Sequence, residues 1–239
     1  MKFLPLMLFL FCTDTFAQDN FRKNVGGFNL EILNTTATYN YFSLPNENET
    51  NRVDLPELSG TKYRLFYEKI FEKYSVTFLY APLDLNYLFN SSRDFKFNNT
   101  NFNTNTNTEV FYKFNSYRIG FRNNNFFSFG RYYYGALLKI RDAEICVQQN
   151  SLKDCYDNIG PVPLLNLGID FIGDTYYFSF NMDGLFSSRG SAYDANLEFG
   201  YQFSLFRLGI GYRVLGGGAD SDKLINFGQF QSSYLSIKF

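Results

Sequence analysis

The sequence predicts an all-β protein, a single antiparallel transmembrane β-barrel of ten strands. Three observations predict it. Apolar and polar residues alternate along one short segment after another. Beyond the N-terminus, no stretch has the roughly 20 consecutive apolar residues of a membrane-spanning helix. Short and long connections also alternate along the chain, as they do in membrane barrels. Because alternation in short strands is a weak signal, eight or twelve strands also fit.

The alternation is clearest in two segments, YDANLEFGY (193–201) and FRLGIGYRV (206–214). In the first, aromatic and aliphatic residues occupy one face, while Asp194 and Glu198 occupy the other. A period of two residues is typical of a strand with one apolar and one polar face. Such segments predict strands at 26–40, 59–70, 73–88, 109–122, 126–142, 163–172, 175–186, 191–202, 206–216 and 225–239.

The connections between these strands differ in length. Tight turns are expected at 71–72, 123–125, 173–174 and 203–205, and longer loops at 41–58, 89–108, 143–162, 187–190 and 217–224. Membrane barrels have short turns on one side and longer loops on the other. The low-complexity segment NNTNFNTNTNT (98–108) has no apolar pattern, so it is expected to be a mobile external loop.

A secreted β-sandwich or a lipocalin-like barrel would also show alternation. In those folds the apolar face points inward and the outer face is charged. Here arginine and aspartate recur on the polar faces, while the 30 phenylalanines and 19 tyrosines crowd the apolar faces with leucine and isoleucine. This distribution favours a barrel whose apolar side chains face lipid and whose charges face the lumen.

The inward charges form the predicted site. A ten-stranded barrel is narrow, and buried charges need partners, so a network of ion pairs that fills the lumen is expected. A constricted pore or a pocket for a small polar solute is the alternative, with space left by Gly120, Gly135, Gly200, Gly209 and Gly211. The predicted lumenal network comprises Arg64, Glu68, Arg118, Arg122, Arg141, Asp183, Asp194, Glu198 and Arg213, and alternation also points Glu31, Lys139, Asp170 and Arg207 inward.

The first residues predict export. Lys2, a short apolar run and Ala17 have the form of a secretory signal peptide, with residues 1–17 removed and residues 18–239 forming the barrel domain. Lipoprotein processing at Cys12 is a weaker alternative, because the residue before the cysteine is large. In an exported chain, Cys146 and Cys155 are expected to form a disulfide. A metal site at these cysteines would need more ligands.

Enzymatic and nucleic-acid functions are not expected. The chain has no histidine, the usual general base near neutral pH, although a carboxylate pair such as Asp183 and Asp194 could replace it. The formal net charge of −1 lacks the basic excess of a nucleic-acid-binding protein. No metal and no cofactor are predicted.

The last strand, SSYLSIKF, has Leu235, Ile237 and Phe239 on its lipid-facing side and Tyr234 on the other. A terminal phenylalanine after alternating apolar residues resembles the C-terminal signal of bacterial outer-membrane proteins. That resemblance implies a Gram-negative source, insertion by the barrel-assembly machinery, and an assembly signal formed by Tyr234, Leu235, Ile237 and Phe239.

Further segments resemble a poorly characterised family of bacterial outer-membrane β-barrels of about this length. They are YAPL (80–83), FNSYR (114–118), RDAEI (141–145), GPVPLL (160–165) and GYRVLGGGADSD (211–222). The resemblance implies the fold and contact with outer-membrane lipids and lipopolysaccharide, but no activity. We therefore expect a structural or interaction barrel with displayed loops. A narrow channel or solute-binding barrel is the alternative, and a lipid-modifying enzyme is less favoured.

Overall fold

The structure is a computed structural model that describes residues 26–44, 52–187, 190–220 and 224–239. The predicted signal peptide, residues 1–17, lies outside them. Within these ranges no helix is long and apolar enough to cross a membrane. The strands are β1 (Gly27–Ser43), β2 (Val53–Leu55), β3 (Leu58–Phe71), β4 (Tyr74–Ala81), β5 (Asp84–Asn90), β6 (Phe95–Phe97), β7 (Thr100–Phe102), β8 (Asn107–Phe127), β9 (Gly130–Gln149), β10 (Leu152–Ile172), β11 (Tyr176–Ser187), β12 (Gly190–Gln202), β13 (Arg207–Asp220) and β14 (Ile225–Lys238).

Ten of these strands close into a barrel. Each pairs antiparallel with its neighbours in the order β1, β3, β4, β8 to β14, and β14 returns to pair with β1. The closing pair runs from Asn29 opposite Lys238 to Ser43 opposite Ile225. The last strand therefore completes the wall, and the predicted antiparallel ten-stranded barrel is confirmed.

Four short turns, at residues 72–73, 128–129, 173–175 and 203–206, lie at one end of the barrel, which we call the turn end. The opposite end, which includes the β9–β10 turn at residues 150–151, is the hairpin end. Near the turn end the outer surface is an apolar belt. On β9 its outward residues are Tyr132, Tyr134, Leu138 and Ile140, each more than a third exposed. Apolar side chains on the outside of a closed barrel are those expected to contact lipid.

Aromatic rings lie at both margins of this belt. At the turn end, the ring of Phe129 stacks on Phe171 with 5.9 Å between centroids. At the other margin, Tyr80 stacks on Tyr117 at 5.1 Å. Aromatic girdles at the two levels where lipid meets water are characteristic of transmembrane barrels.

Beyond the belt, the wall reverses its polarity. Strands β8, β9 and β10 have 21, 20 and 21 residues, about twice the 9–11 residues that cross a bilayer. In their hairpin-end halves the outward face carries charges such as the Lys113–Asp142 ion pair, at 2.8 Å. The inward face there is apolar and buried: Val110, Tyr112, Phe114, Ala143, Ile145 and Val147. The hairpin-end half therefore has the side-chain distribution of a water-soluble β-protein.

The hairpin-end half also divides into two parts. Strand β3 pairs with β4 only as far as Leu65 opposite Tyr80, and β10 pairs with β11 only from Leu165. Strand β5 and the hairpin-end halves of β8, β9 and β10 thus form a four-stranded extension of the barrel wall, which we call the outer sheet. It packs across the barrel mouth through an apolar cap, formed by Ala37, Phe42, Val53, Leu55, Leu83, Leu85, Tyr87, Phe95, Phe97, Phe102, Val110, Tyr112, Phe114, Ala143, Ile145, Val147, Leu224 and Phe230.

Two predicted connections are wrong. Residues 123–125 lie inside β8, and the turn falls at residues 128–129. Asparagine favours turns, but the buried Asn124 side chain here accepts a hydrogen bond of 3.0 Å from Arg131, which keeps it in the wall. The predicted loop at 143–162 is instead a continuous β9–β10 hairpin that turns at residues 150–151.

The low-complexity segment also differs from its prediction. Residues 98–108 include β7 and the start of β8, and the side chain of Phe102 is fully buried against Phe95, with 5.3 Å between ring centroids. The β6–β7 hairpin is held by Asp154, which accepts hydrogen bonds from Asn98 and Thr100 at 3.1 and 2.8 Å. The phenylalanines among the asparagines thus pack into the apolar interior and fix the position of this segment.

The predicted strand 73–88 is interrupted. Pro82 lacks an amide hydrogen, and the chain breaks there between β4 and β5. The break is bridged by the side chain of Asn115, which accepts a hydrogen bond of 3.1 Å from the Leu83 amide. At the other predicted loop, 217–224, β13 continues to residue 220, and residues 221–223 lie outside the described part of the chain.

Candidate functional site

The lumen between the apolar cap and the turn end is filled by ion pairs, and Asp194 is their hub. This carboxylate on β12 is 1% exposed. It lies 2.6 Å from Nη1 of Arg213, 2.8 Å from Nη1 of Arg118 and 3.0 Å from Nη1 of Arg64. Arg213 lies on β13, next to β12, whereas Arg64 on β3 and Arg118 on β8 lie on the far side of the barrel. These two arginines therefore reach across the lumen.

Two further carboxylates balance the three arginines of this hub. Glu31 on β1 accepts a hydrogen bond of 2.8 Å from Nη2 of Arg213, and Asp183 on β11 accepts one of 2.7 Å from Nη1 of Arg118. These ion pairs join three positive and three negative groups, which limits the cost of burying them. Lys139 on β9 is also buried, and its ammonium lies 4.3 Å from the centroid of the Phe114 ring.

A second cluster lies nearer the turn end. Glu68 on β3 is paired with Arg131 at 2.7 Å and with Arg122 at 3.3 Å. Arg131 also contacts Asp170 through Nε at 2.7 Å. Two guanidinium groups and two carboxylates again balance.

Asn166 connects the two clusters. Its side-chain oxygen accepts a hydrogen bond of 2.6 Å from Nε of Arg122, and its side-chain amide donates to the carboxylate of Asp183. The network is therefore continuous from β3 to β13. A connected network of buried polar groups of this kind rigidifies the interior that it fills.

Glu198 forms a third group near the closing strand. It is paired with Lys238 at 2.6 Å and accepts hydrogen bonds from the hydroxyls of Tyr177, at 2.5 Å, and Tyr234, at 3.1 Å. Tyr234 lies in the last strand, so this group ties strand β14 to the interior.

The lumenal glycines do not leave open space, which corrects an expectation from the sequence. A Cβ added to Gly209 would lie 2.2 Å from the hydroxyl of Tyr177, and one added to Gly211 would lie 2.3 Å from the ring of Tyr234. The glycines instead allow these rings to lie flat against the wall. They therefore contribute to filling the lumen.

A small cavity remains between the Asp194 cluster and the turn end. Its volume is about 90 Å³, room for a few water molecules or one small ion. It reaches from Gly27 and Lys238 at the turn end to Arg64 and Arg213 at its inner end. The Nε atoms of both arginines are buried and have no hydrogen-bond partner among the described residues.

The structure places the residues of the predicted network unequally. Eight are buried in the lumen and make the contacts described above: Arg64, Glu68, Arg118, Arg122, Asp183, Asp194, Glu198 and Arg213. Arg141 points inward but is only half-buried. It lies nearer the hairpin end, beside Tyr156 and Asn158, and joins no ion pair among the described residues.

Several members of the network were absent from the predicted set: Glu31, Arg131, Asp170, Asn166 and Lys238. Alternation had already pointed Glu31 and Asp170 inward. Arg131 has the same parity on β9 as Lys139, so the pattern could have identified it. Asn166 could not be identified in this way, because the predicted network was built from charged side chains, and asparagine is neutral.

The two carboxylates considered as a catalytic pair, Asp183 and Asp194, are both held by arginines. Arg118 contacts each of them, at 2.7 and 2.8 Å. The arrangement accounts for both carboxylates as structural ion-pair partners.

Cys146 and Cys155 form a disulfide across the outer part of the β9–β10 hairpin. Glu144 lies near both sulfur atoms, the one group of potential metal ligands found within the described residues. Because the sulfurs are bonded to each other, neither is available as a thiolate ligand.

The residues of the predicted assembly signal divide between the two faces of β14. Tyr234 is buried in the lumen, whereas Leu235 and Phe239 are 63% and 61% exposed on the outside. Ile237 is partly exposed. The backbone of Phe239 exchanges hydrogen bonds with Phe28 at 2.9 and 3.2 Å, so this residue also helps to close the barrel.

A closed sheet with an apolar outer belt, two aromatic girdles and a charged interior defines the class of transmembrane β-barrels. No family model matches the chain, and no curated protein matches it in sequence. Similar solved structures include the outer membrane protease OmpT of Escherichia coli, with 10% identity, a TM-score of 0.48, and coverage of 89% of this chain and 97% of that chain.

Two more belong to bacterial proteins of other kinds. The toluene transporter TodX of Pseudomonas putida has 9% identity, a TM-score of 0.36 and coverage of 91% and 90%. Ail, the attachment invasion locus protein of Yersinia pestis, has 10% identity, a TM-score of 0.37 and coverage of 89% and 99%. At this level of similarity the comparison assigns no activity, and the architecture rests on the strand pairing of the chain itself.

Proposed function

We propose that the protein is a closed β-barrel of the bacterial outer membrane, with a structural or interaction role at the cell surface. The observation that carries this proposal is a lumen with two successive barriers. The continuous ion-pair network around Asp194 and Glu68 fills the membrane-spanning half. The apolar cap then closes the hairpin-end half.

The orientation follows from the two ends. In outer-membrane barrels the short turns face the periplasm and the longer connections face outward. The turn end is therefore periplasmic, and the outer sheet stands on the cell surface. Membrane lipids contact the belt, and lipopolysaccharide surrounds its outer margin near Tyr80 and Tyr117.

Single-channel recording tests the closed lumen. The mature protein, refolded into a planar bilayer, should produce no current steps, because the ion-pair network and the apolar cap both block the lumen. Replacing residues 91–106 with a short Gly-Ser link removes part of the apolar cap and keeps the ion pairs, so this variant should also be silent. Stable current steps from the folded wild-type protein would contradict the proposal.

A small polar solute site is the second candidate function, favoured by the cavity beside Arg64 and Arg213. Their unpartnered Nε atoms would donate to a small anion that enters from the turn end. Calorimetry of the refolded protein with inorganic phosphate and with acetate tests this. Binding that disappears in Arg64→Lys, which keeps the charge but lacks Nε, would support the site; no heat with either anion would rule them out as ligands.

A lipid-modifying enzyme is the least favoured role, since the chain has no histidine and its paired carboxylates are held by arginines. Lipid A and phospholipid profiles of cells with and without the gene should be identical. A missing modification in the cells without the gene would overturn this.

Insertion by the barrel-assembly machinery is part of the same proposal. Phe239→Ala keeps the backbone hydrogen bonds to Phe28 and removes the ring. It should slow assembly in cells while leaving the stability of refolded protein nearly unchanged, which separates recognition of the ring from closure of the barrel.

A further inference from the structure

The outer sheet ends in an open strand edge. Strand β10 pairs with β9 along its whole length, but with β11 only from Leu165 onward. Among the described residues, no strand pairs with the other side of β10 between Leu152 and Leu164. An unpaired edge presents a row of backbone N–H and C=O groups that can accept another strand.

The residues whose backbone groups point to this open side can be identified. Pro161 and Pro163 lie opposite Ile140 and Leu138 of β9, and proline has no N–H to give to that ladder. Cys155 lies opposite Cys146 with their Cα atoms 4.1 Å apart, the close spacing of a pair without mutual backbone hydrogen bonds. Odd-numbered residues of this segment therefore direct their backbone groups away from β9.

The usable edge is short and rigid. Pro161 and Pro163 remove two donors and end it on the side of the membrane. Between Lys153 and Ile159, the disulfide at Cys155 fastens the edge strand to its neighbour. A preorganised strand loses less entropy when it pairs.

We propose that this edge pairs with the same edge of a second copy of the chain. In an antiparallel pair centred on Cys155, Lys153 of each copy lies opposite Asp157 of the other. Both side chains are exposed and lie on the outward face of the sheet. Opposite charges placed directly across a strand pair are stabilising.

The alternation of backbone directions along β10 limits the possible registers. Residues whose backbone groups point to the open side must lie opposite each other, so each allowed register pairs odd-numbered residues of one copy with odd-numbered residues of the other. A pair centred on Tyr156 sets Lys153 opposite Ile159, and one centred on Asp157 sets this carboxylate opposite its own copy. Of these three registers, the one centred on Cys155 gives two opposite-charge pairs.

The geometry fixes how the two copies stand. The twofold axis of an antiparallel strand pair is perpendicular to the sheet, so one barrel is inverted relative to the other. The outer sheets then meet head to head, with the two barrels in facing membranes. One such edge buries far less than the about 1,200 Å² of a stable interface, so many weak pairs would act together between two surfaces.

This inference assigns a partner to the proposed interaction role, and it rests on the hairpin end facing outward. Vesicles that contain the full mature protein should cluster, as measured by dynamic light scattering. Lys153→Glu should slow clustering about tenfold, because two attractive pairs become repulsive. The double change Lys153→Glu with Asp157→Lys should restore it. Lys69→Glu, the same charge change near the turn end, should have no effect.

A backbone variant separates edge pairing from surface charge. Ile159→Pro removes an amide that points to the open side, keeps the β9 ladder intact, and should weaken clustering. A labelled peptide of residues 151–160, with serine for Cys155, should bind wild-type vesicles and inhibit clustering.

Four outcomes would overturn the proposal: wild-type vesicles that stay dispersed at high protein density, clustering unchanged by Lys153→Glu, failure of the double change to restore it, or equal binding of an unrelated alternating peptide. Heat-modifiable migration in gel electrophoresis shows which variants are folded. The conductance experiment above is independent, so failure of either proposal is recognised separately.

Discussion

Ser116 on β8 lies opposite Arg141 on β9, and at this pair the apolar side chains pass from the outside of the barrel wall to its inside. Towards the turn end, Tyr117 and Ile140 point outward and are 44% and 37% exposed. One step towards the hairpin end, Phe114 points inward and is buried. The pair therefore marks the boundary between the half that lies in lipid and the half that stands in water.

Charges introduced on the outer face of β9 should have costs that depend on their position relative to this boundary. Leu138→Arg places a charge within the belt and should lower the free energy of unfolding by about 2–4 kcal/mol. Gln148→Arg lies on the same face beyond the boundary and should change it by about 0.5 kcal/mol or less. Urea titration in lipid vesicles measures both; equal losses would place the boundary elsewhere.

Removal of the charge on Asp194 should be among the most destabilising single changes. Asp194→Asn leaves Arg64, Arg118 and Arg213 short of one counter-charge, and breaking a buried ion pair costs about 3–5 kcal/mol. Asp142→Asn breaks a partly exposed pair with Lys113 and should cost about 1 kcal/mol or less. Comparable losses for the two variants would show that water reaches the Asp194 cluster.

The anchoring of the β6–β7 hairpin should depend on pH through Asp154, which lies outside the membrane-spanning segments. Burial raises the pKa of its carboxyl, but hydrogen bonds from Asn98, Thr100 and the Asn99 amide outweigh burial and hold the pKa below its ordinary value. Because the pKa of Asp154 is lower in the folded state, its carboxylate stabilises the β6–β7 hairpin fully above the pKa of the unfolded chain, about 3.9. This stabilisation is lost as the pH falls through the lower pKa of the folded state.

Amide hydrogen exchange of residues 95–102 measures this anchor, with Asp154→Asn as the reference at each pH. Above about pH 5 the wild-type segment should exchange more slowly than the variant, and the difference should vanish as the carboxyl is protonated. A difference that persists unchanged at about pH 2 would show that the carboxylate charge does not hold the hairpin.

The apolar cap should behave as a packed core. Phe97 is fully buried, so Phe97→Ala should cost about 3–5 kcal/mol of the stability of the outer half. Leu88→Ala removes a side chain that is 66% exposed and should cost about 0.5 kcal/mol or less. Amide hydrogen exchange in the outer half measures the effect of each variant. If Phe97→Ala left the exchange rates unchanged, the apolar cap would not pack around this ring.

The sequence was sufficient for the strand count and antiparallel closure, because alternation with a period of two persists through every wall strand. It also contains the polarity reversal. In VFYKFNSYRIGF (110–121) the apolar positions shift from even to odd numbers across residues 115–116. The predicted strand at 109–122 spans this shift, but a single lipid-facing side was assigned to the whole strand, so the reversal was missed.

Two features could not have been predicted from local pattern. The three asparagines at 123–125 have turn propensity, but in the structure Asn124 accepts a hydrogen bond from Arg131, and Asn123 donates one to Tyr134 of the same neighbouring strand. The hub at Asp194 depends on which inward charges the register brings together. Alternation gives the direction of a side chain and not its height in the barrel, so Arg141 was grouped with charges that it does not meet.

The most direct test of the account is the depth of the wall in the bilayer. The chain has no tryptophan, so single tryptophans can be introduced without background on the outer face of β9, in place of Tyr134, Leu138, Ile140, Glu144 and Gln148. Lipids brominated in their acyl chains should quench the fluorescence of the first three and leave the last two unquenched. Strong quenching at positions 144 and 148, or none at 134 and 138, would contradict a membrane boundary at the Ser116–Arg141 pair.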